Sequence, residues 1–168
     1  GLIQPDEGYI KLNEKVLLDS AIGLSLPAQK RKVGFVFQDY ALFPHLTVIQ
    51  NIGYGLKRLP VKEMKNNISE LMDKMNIQKL GDRYPSQLSA GQQQRVAMAR
   101  ALAPKPDVLL LDEPFSALDS PVKEQLQSEL QALQDFYKGN VLFVTHDLAE
   151  GYRIGSRIAV FDSGQVVQ

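Results

Sequence analysis

Short apolar segments alternate with longer helical patterns along this chain, and that alternation predicts its architecture. Val33–Phe37, Asp107–Leu111 and Val141–Thr145 have the apolar, β-branched or aromatic character of strands, and the last two read as strands buried on both faces. From Thr47 to Met75, apolar residues recur at three- and four-residue steps, which is typical of helices. Strands that alternate with helices in this way predict an α/β domain built on a mostly parallel sheet.

Turn, capping and helix-breaking residues mark the ends of the remaining predicted elements. These elements are a hairpin over 9–18, a helix from Ser89 to the prolines at 104 and 106, a helix over Pro121–Tyr137 and a final hairpin over 157–167. The predicted strands lie on either side of the helical block that follows Gln38. We therefore predict a core formed by residues 1–38 and 95–168, with an inserted α-helical subdomain over 39–94.

Composition and charge narrow the class of protein. The 168 residues carry 19 Lys and Arg against 19 Asp and Glu, so bulk electrostatics favour neither nucleic acid nor an anionic membrane surface. No apolar run approaches the roughly 18 residues that a membrane-spanning helix needs. The absence of cysteine fits a reducing compartment. Because the chain begins at Gly1 inside a turn signal, we expect it to be a fragment of a longer protein. We also expect that this protein is not exported.

Two adjacent carboxylates, Asp112 and Glu113, follow the apolar run Val108–Leu111. A carboxylate at the end of a buried strand can hold Mg²⁺ through water, and a second one can orient and deprotonate a water that attacks a phosphoanhydride. The alternative interpretation is structural, because parallel strands often end in polar residues. The pair alone leaves both interpretations open.

A second candidate site lies at the start of the helix that precedes this strand. Leu88–Gln92 supplies a capping hydroxyl from Ser89, a close backbone approach at Gly91 and free N–H groups at the positive end of a helix dipole. Those features suit an anion such as phosphate. The alternative is a simple capped helix.

These segments together resemble the motif set of ATP-binding cassette (ABC) ATPases, in the family's order over essentially the whole chain. The matching segments are Gln38 as the Q-loop, Leu88–Leu102 as the signature motif, Val108–Pro114 as the Walker B strand, Ser116–Asp119 as the D-loop and His146 as the switch histidine. The resemblance implies a P-loop NTPase core with an inserted helical subdomain.

The resemblance also implies roles for residues that serve one nucleotide. Glu113 would be the general base for ATP hydrolysis, and Asp112 the carboxylate that holds Mg²⁺. His146 would contact the γ-phosphate. Gln38 would sense the metal and the attacking water. The implied cofactors are therefore ATP and Mg²⁺.

Other motif residues would serve the nucleotide of a second subunit. By resemblance, Ser89, Gly91 and Gln92 complete the opposite site, so that two chains enclose two ATP molecules head to tail. Asp119 would lie at the seam and couple the two sites. The implied assembly is a homodimer.

Two departures from the family pattern affect what we expect of this chain. Ala90 replaces the usual glycine of the signature, which is tolerated if its φ is negative. No Gly-Lys-Ser/Thr phosphate loop occurs, and Gly1–Gly8 resembles the stretch that follows it, so the fold is expected to be N-terminally truncated. We expect these residues alone to bind ATP weakly, to hydrolyse it negligibly and to expose sheet edge and apolar surface.

The segment from Gln38 to Ile52 resembles importer ATPases for molybdate, sulfate, iron and sugars, and residues 16–20 and 26–31 look most like the molybdate group. Membrane permease subunits are then the expected partners, contacted through Tyr40, Phe43 and Leu46 unless these are buried. A solute-binding protein would take part indirectly and nucleic acid would not. The expected location is peripheral, at the cytoplasmic side of the membrane.

Two other functions are alternatives to this one. Chromosome-maintenance ATPases share the cassette but insert very long coiled coils between Q-loop and signature, where this chain has only about fifty residues. A non-catalytic module without a P-loop, pairing with a complete ATPase subunit, stays open. The presence of Glu113 and His146 argues against a decayed enzyme.

Overall fold

The computed structural model describes residues 3–116, 123–130 and 137–168. Its contacts divide the chain into two compact units, Gly1–Val33 and Gly34–Gln168. The division into a core of 1–38 and 95–168 with an inserted 39–94 subdomain stays a prediction.

The first unit is a small antiparallel sheet in the order β1-β2-β3, with β1 at Tyr9–Leu12, β2 at Lys15–Asp19 and β3 at Leu24–Ser25. Tyr9 pairs with Asp19 at the open end of the β1–β2 hairpin. Asn13 in the turn has a φ of 52°, a conformation that Asn tolerates better than most residues. The predicted hairpin over 9–18 is confirmed.

The second unit contains five α-helices within the described residues. They are α1 at Val48–Gly53, α2 at Val61–Lys74, α3 at Ala90–Leu102, α4 over 123–130 and α5 at Leu148–Ile154. The stretch predicted as helical from Thr47 to Met75 is divided, because Pro60 disfavours helical backbone at the residue before it. Of the helix predicted over Pro121–Tyr137, residues 123–130 are helical and Tyr137 is not in a helix, while the rest lies outside the described residues.

The sheet of the second unit has the order β4-β5-β6, with β4 at Val33–Val36, β5 at Val108–Asp112 and β6 at Asn140–Val144. β5 and β6 are parallel, with Val108 opposite Asn140. In β5, Leu109 and Leu111 are buried, but the alternate residues are only partly covered, so burial on both faces was wrong.

β6 also differs from the prediction of a buried strand. It forms one edge of the described sheet, and its side chains at Leu142 and Val144 are 59% and 50% exposed. An apolar run of this kind predicts burial only if elements cover both faces and both edges. Here the second edge of β6 has no partner strand within the described ranges, so this apolar strand is left unpaired on that side.

The final hairpin is shorter than predicted, with β7 at Phe161–Asp162 and β8 at Gln165–Val166. Ser163 and Gly164 both have positive φ, as the two-residue turn of a hairpin requires. Residues 157–160 are not assigned to a strand, although Val160 pairs with the backbone of Val167 and Gln168. None of the described helices is long and apolar enough to cross a bilayer.

The hydrophobic core of the second unit lies where α1, α2 and α3 pack beside β5. Its most buried apolar residues come from all of these elements: Val48, Ile52, Leu71, Val96, Ala97, Leu109 and Leu111. Full burial of an Ile or Leu side chain stabilises a fold by about 1.5–3 kcal/mol. This core therefore holds fixed the carboxyl ends of β4 and β5, from which the candidate site is built.

Candidate functional site

The ends of β4 and β5 bring Gln38 and Glu113 together. The two strands are neighbours in the sheet, and Gln38 and Glu113 follow them closely. The Gln38 amide nitrogen lies 3.4 Å from Glu113 Oε2 and 3.4 Å from Ser116 Oγ. The sequence predicted that these two residues serve one nucleotide, and the fold places them in contact.

Glu113 occupies an unusual backbone conformation that several hydrogen bonds hold in place. Its φ is 42°, in the left-handed region, where a non-glycine residue costs about 1–2 kcal/mol. Its N–H donates to Val144 O at 3.0 Å, and the Ser116 hydroxyl donates to its carbonyl at 2.9 Å. Strained backbone of this kind persists where surrounding contacts over-determine it, and it is frequent at active sites.

His146 approaches the same carboxylate from the end of β6. Its Nδ1 lies 3.2 Å from Glu113 Oε1, so Gln38 and His146 contact different oxygens of one side chain. The His146 side chain is 73% exposed and that of Glu113 is 29% exposed. The imidazole is therefore available to a ligand while it touches the carboxylate.

A cavity of about 630 Å³ opens beside this cluster and is lined by Phe37, Gln38, Asp39, Asp112 and Ser116. Asp112 and Gln38, the predicted metal ligands, face it together. Mg²⁺ binds oxygen ligands and commonly takes only one or two from the protein, the rest coming from phosphate and water. One carboxylate, one amide oxygen and open space therefore fit Mg²⁺ bound together with a polyphosphate.

The predicted signature residues lie at the start of α3. Ser89 is the N-cap: its hydroxyl accepts from Gln92 N–H at 3.4 Å, and the Gln92 amide oxygen accepts from Ser89 N–H at 3.1 Å. Gly91 is buried in the first turn. Ala90 is helical and has no positive φ, so this departure from the family pattern is tolerated. Among the described contacts, none joins these residues to Glu113 by a hydrogen bond or an ion pair.

Two other predictions have different outcomes. Asp119 lies outside the described residues. Of the three candidate partner contacts, Tyr40 is only 5% exposed, so it is not available at the surface, because its ring packs into the core. Phe43 and Leu46 are half-buried and keep part of their surface open.

An ionic cluster that the sequence does not reveal lies beside His146. Lys123 in α4 places its Nζ 3.0 Å from Asp147 Oδ2 and 2.5 Å from Glu150 Oε1. The Thr145 hydroxyl donates to the other Glu150 oxygen at 2.6 Å. These four residues line a cavity of about 110 Å³ together with Glu113, Phe115, Ser116 and His146.

This cluster fixes the residues on both sides of His146. Asp147 is the N-cap of α5 and accepts from Ala149 N–H at 2.9 Å, while the hydrogen bond from Lys123 holds the pKa of Asp147 below its ordinary value. Hydrogen bonds to Glu150 and Asp147 in turn raise the pKa of Lys123. The Asp-x-x-Glu spacing from 147 to 150 was a visible helix-start signal, but nothing in the sequence points to Lys123.

A comparison with protein families identifies the chain. The ABC transporter family model matches residues 1–116. The chain belongs to the ABC transporter family. It is an ATPase domain of that family, with a mixed α/β fold that matches the P-loop NTPase fold of ABC ATPases.

Several curated ABC import proteins are similar to it. A probable sulfate/thiosulfate import ATP-binding protein of Chlorella vulgaris is 44% identical over 100% of this chain and 70% of its own length. A spermidine/putrescine import ATP-binding protein of Ruegeria pomeroyi is 48% identical over 100% of this chain and 45% of its own length. A molybdenum import ATP-binding protein of Pasteurella multocida is 45% identical over 99% of this chain and 46% of its own length. The chain thus spans about half the length of most of these ABC relatives.

A solved structure of an ABC protein shares the fold. It is a dimeric ATP-binding cassette in a post-hydrolysis state, bound to ADP and Pi. It is similar to this chain with a TM-score of 0.79 and 32% sequence identity, over 99% of this chain and 74% of the solved one.

Proposed function

We propose that this chain is part of an importer ATPase, whose full-length protein couples ATP hydrolysis to the uptake of a small solute. The observation that carries the proposal is the contact of Gln38 and His146 with the two oxygens of Glu113, at 3.4 Å and 3.2 Å. The sequence motifs assigned these three residues to one reaction. Their meeting around one carboxylate supports that assignment.

Each residue of this group has a role that its chemistry supports. Water attacks the γ-phosphorus, its proton passes to the Glu113 carboxylate, and the bond to ADP breaks. The Gln38 amide orients that water, and His146 donates a hydrogen bond to the γ-phosphate. Asp112 and Gln38 would hold Mg²⁺, which supplies neutralisation of phosphate charge when it is bound.

The residues at the start of α3 would act on a second nucleotide. Ser89, Gly91 and Gln92 stand at the positive end of a 13-residue helix, and phosphate binds favourably at such an end. We place them opposite the Glu113 site of a second copy, with Asp119 at the seam. The solved relative described as dimeric supports this arrangement.

The transported solute is proposed as molybdate or a related anion. Relatives of similar identity import sulfate or thiosulfate, polyamines and molybdenum, so this part rests on the resemblance of residues 16–20 and 26–31. Permease subunits would contact the surface of Phe43 and Leu46, and a solute-binding protein would act through them. The assembly would lie at the cytoplasmic side of the membrane.

Substitution of the proposed base tests this function. In the full-length protein, Glu113→Gln keeps the shape of the side chain but removes its basicity, and we expect ATP hydrolysis to fall by about 100-fold or more. Binding of a fluorescent ATP analogue should remain. Phosphate release measured under saturating ATP gives the rate.

The matched control is Glu124→Gln, because Glu124 is an exposed carboxylate of α4. It should hydrolyse ATP at the wild-type rate. Equal, measurable rates for Glu113→Gln and wild type would remove Glu113 as the base. A wild-type protein that binds the ATP analogue but releases no phosphate would remove the enzymatic proposal and favour the non-catalytic module that pairs with a complete ATPase subunit.

A further inference from the structure

The loop between β4 and α1 contains two consecutive residues in the left-handed conformation. Tyr40 has a φ of 61° and Ala41 a φ of 42°. Neither is Gly, Asn or Asp, the residues that adopt this backbone most readily. A strained pair of this kind persists only where the surrounding structure holds it. Neighbouring side chains must therefore hold Tyr40 and Ala41 in this conformation.

Arg100, near the end of α3, supplies those contacts. Its Nη1 donates to Ala41 O at 2.7 Å, and its Nη2 donates to Tyr40 O at 3.0 Å. The guanidinium also lies 5.2 Å from the centre of the Phe43 ring. One side chain thus contacts both strained residues and the next aromatic residue of the loop.

The chemistry of Arg100 suits this role. Burial lowers the pKa of its guanidinium. Within the part of the chain that the structure describes, no carboxylate forms an ion pair with it. Its described hydrogen bonds go to the two loop carbonyls, and hydrogen bonds from a charged donor are stronger than those between neutral groups.

The remainder of the loop is held from α1. The Asn51 side chain is fully buried, accepts from Phe43 N–H at 2.9 Å and donates to the carbonyls of Phe43 and Leu46. This half of the loop therefore has its own anchor. Arg100 is the side chain that fixes the half nearer to Gln38.

The strained pair is directly connected to Gln38. Tyr40 N–H donates to Phe37 O at 2.9 Å and closes a turn that contains Gln38. The Gln38 side chain then reaches Glu113 at 3.4 Å. A change of backbone at Tyr40 and Ala41 would therefore rotate this turn and move the amide.

We infer that Arg100 is a positioning residue, which holds the Tyr40–Ala41 turn in its left-handed conformation and so sets the position of Gln38 against Glu113. Arg100 belongs to the same helix that Ser89 caps, about 16 Å along its axis. The consequence for hydrolysis rests on the proposed function, whereas the effect on the loop does not.

A substitution and its rescue test the inference in the full-length protein. Arg100→Met should raise amide hydrogen exchange across residues 38–43 by about tenfold, because the turn loses both donors. Ala41→Gly in the Arg100→Met background should bring exchange back to within about threefold of wild type, since glycine adopts positive φ without strain. A purely structural loss of packing would not be repaired by removing a methyl group.

Arg95→Met is the matched control, because Arg95 is a cation of the same helix that pairs with Glu129 at 2.8 Å and does not contact the loop. It should leave exchange over 38–43 unchanged. If Arg100→Met raises exchange throughout the protein, Arg100→Lys, which keeps a donor, is used instead and should give a smaller rise confined to this segment. Unchanged exchange over 38–43, or no rescue by Ala41→Gly, would overturn the inference.

Kinetics separate this inference from the proposed function. Arg100→Met should lower kcat for ATP about tenfold with KM within twofold, and Ala41→Gly should restore most of kcat. A wild-type protein that does not hydrolyse ATP would remove the proposed function but leave the exchange result standing. An unchanged kcat together with the exchange change would remove the link from the loop to Gln38.

Discussion

At the scale of single residues, Lys123 connects α4 to the segment that carries His146. Its ammonium group contacts the carboxylates of Asp147 and Glu150, and Glu150 is buried and also holds Thr145. His146 lies between two members of this cluster in the chain. The ionic cluster therefore constrains the backbone from which the imidazole reaches Glu113.

Removal of the cation is expected to destabilise the fold. Lys123→Met leaves the buried Glu150 carboxylate without its cation, and we expect the free energy of unfolding to fall by about 1–2 kcal/mol, since the cluster is partly exposed. Urea titrations at pH 7 measure the change. Lys65→Met, at an exposed lysine of α2 outside this cluster, is the control and should be neutral. Equal stability of wild type and Lys123→Met would contradict this assignment.

The effect of Lys123→Met on the free energy of unfolding should depend on pH. Because Lys123 lowers the pKa of Asp147 in the folded protein, that contribution is present above the ordinary Asp pKa of about 3.9 and is lost as pH falls through the folded value. The raised pKa of Lys123 keeps the contribution up to about pH 10.4, after which it is lost as pH rises through the folded value.

The stability difference between wild type and Lys123→Met should therefore be largest between about pH 4 and pH 10 and should narrow outside that window. Urea titrations at pH 3, 5 and 7 measure how this stability difference changes on the acidic side of the window. A difference that grows as the pH falls would show that Asp147 does not interact with Lys123 as described.

At the scale of elements, α3 is the helix that organises the candidate site. Its first turn holds the signature residues, its middle is buried in the core, and Arg100 near its end contacts the loop after Gln38. Its start is stabilised by a capping box in which Ser89 and Gln92 bond each other's backbone N–H. The two residues of this cap are among those proposed to face phosphate.

Loss of this cap should be measurable as stability. Ser89→Ala removes the acceptor for Gln92 N–H, and we expect it to lower the free energy of unfolding by about 1 kcal/mol. Ser86→Ala, at an exposed serine of a short 3₁₀ turn, is the matched control and should change stability by less than about 0.5 kcal/mol. Identical unfolding curves for both variants would exclude a stabilising cap.

At the scale of the whole molecule, β6 forms an unpaired edge of the sheet as far as the described residues extend. Leu142 and Val144 present apolar side chains at 59% and 50% exposure, and an open strand edge is a template for pairing with another chain. We expect the 168-residue chain to self-associate as its concentration rises, which sedimentation velocity can measure.

Charged substitutions on this strand should reverse the association. Leu142→Lys with Val144→Lys is expected to lower the associated fraction at least several-fold, because like charges along an edge oppose pairing. Val61→Lys, at a 64% exposed valine of α2, controls for added charge elsewhere. An equal effect of both variants would mean that net charge, and not the edge, governs solubility.

Local signals in the sequence predicted local structure well. The hairpin turn at Asn13–Glu14 and the cap at Ser89 are settled by neighbouring residues, so their elements lie where expected. The sequence predictions fail where contacts with residues far away along the chain determine the structure. Val141–Thr145 is as apolar as Asp107–Leu111, but within the described residues β6 has a neighbouring strand on one side only, and two of its apolar side chains are exposed. Residues 157–160 receive no strand assignment, although Val160 bonds to the backbone of Val167 and Gln168, so the final hairpin is shorter than its sequence predicts.

The sequence by itself determined the family, the order of the motifs and the residue types that can handle ATP and Mg²⁺, because those depend on side-chain chemistry and on spacing along the chain. Only the tertiary structure decided that Gln38 and His146 meet around Glu113, that Lys123 supports His146 and that Arg100 holds the strained turn at Tyr40. Those contacts join residues 24 to 75 positions apart, and the packing of helices and strands brings them together. The order of residues along the chain does not indicate which distant residues come into contact.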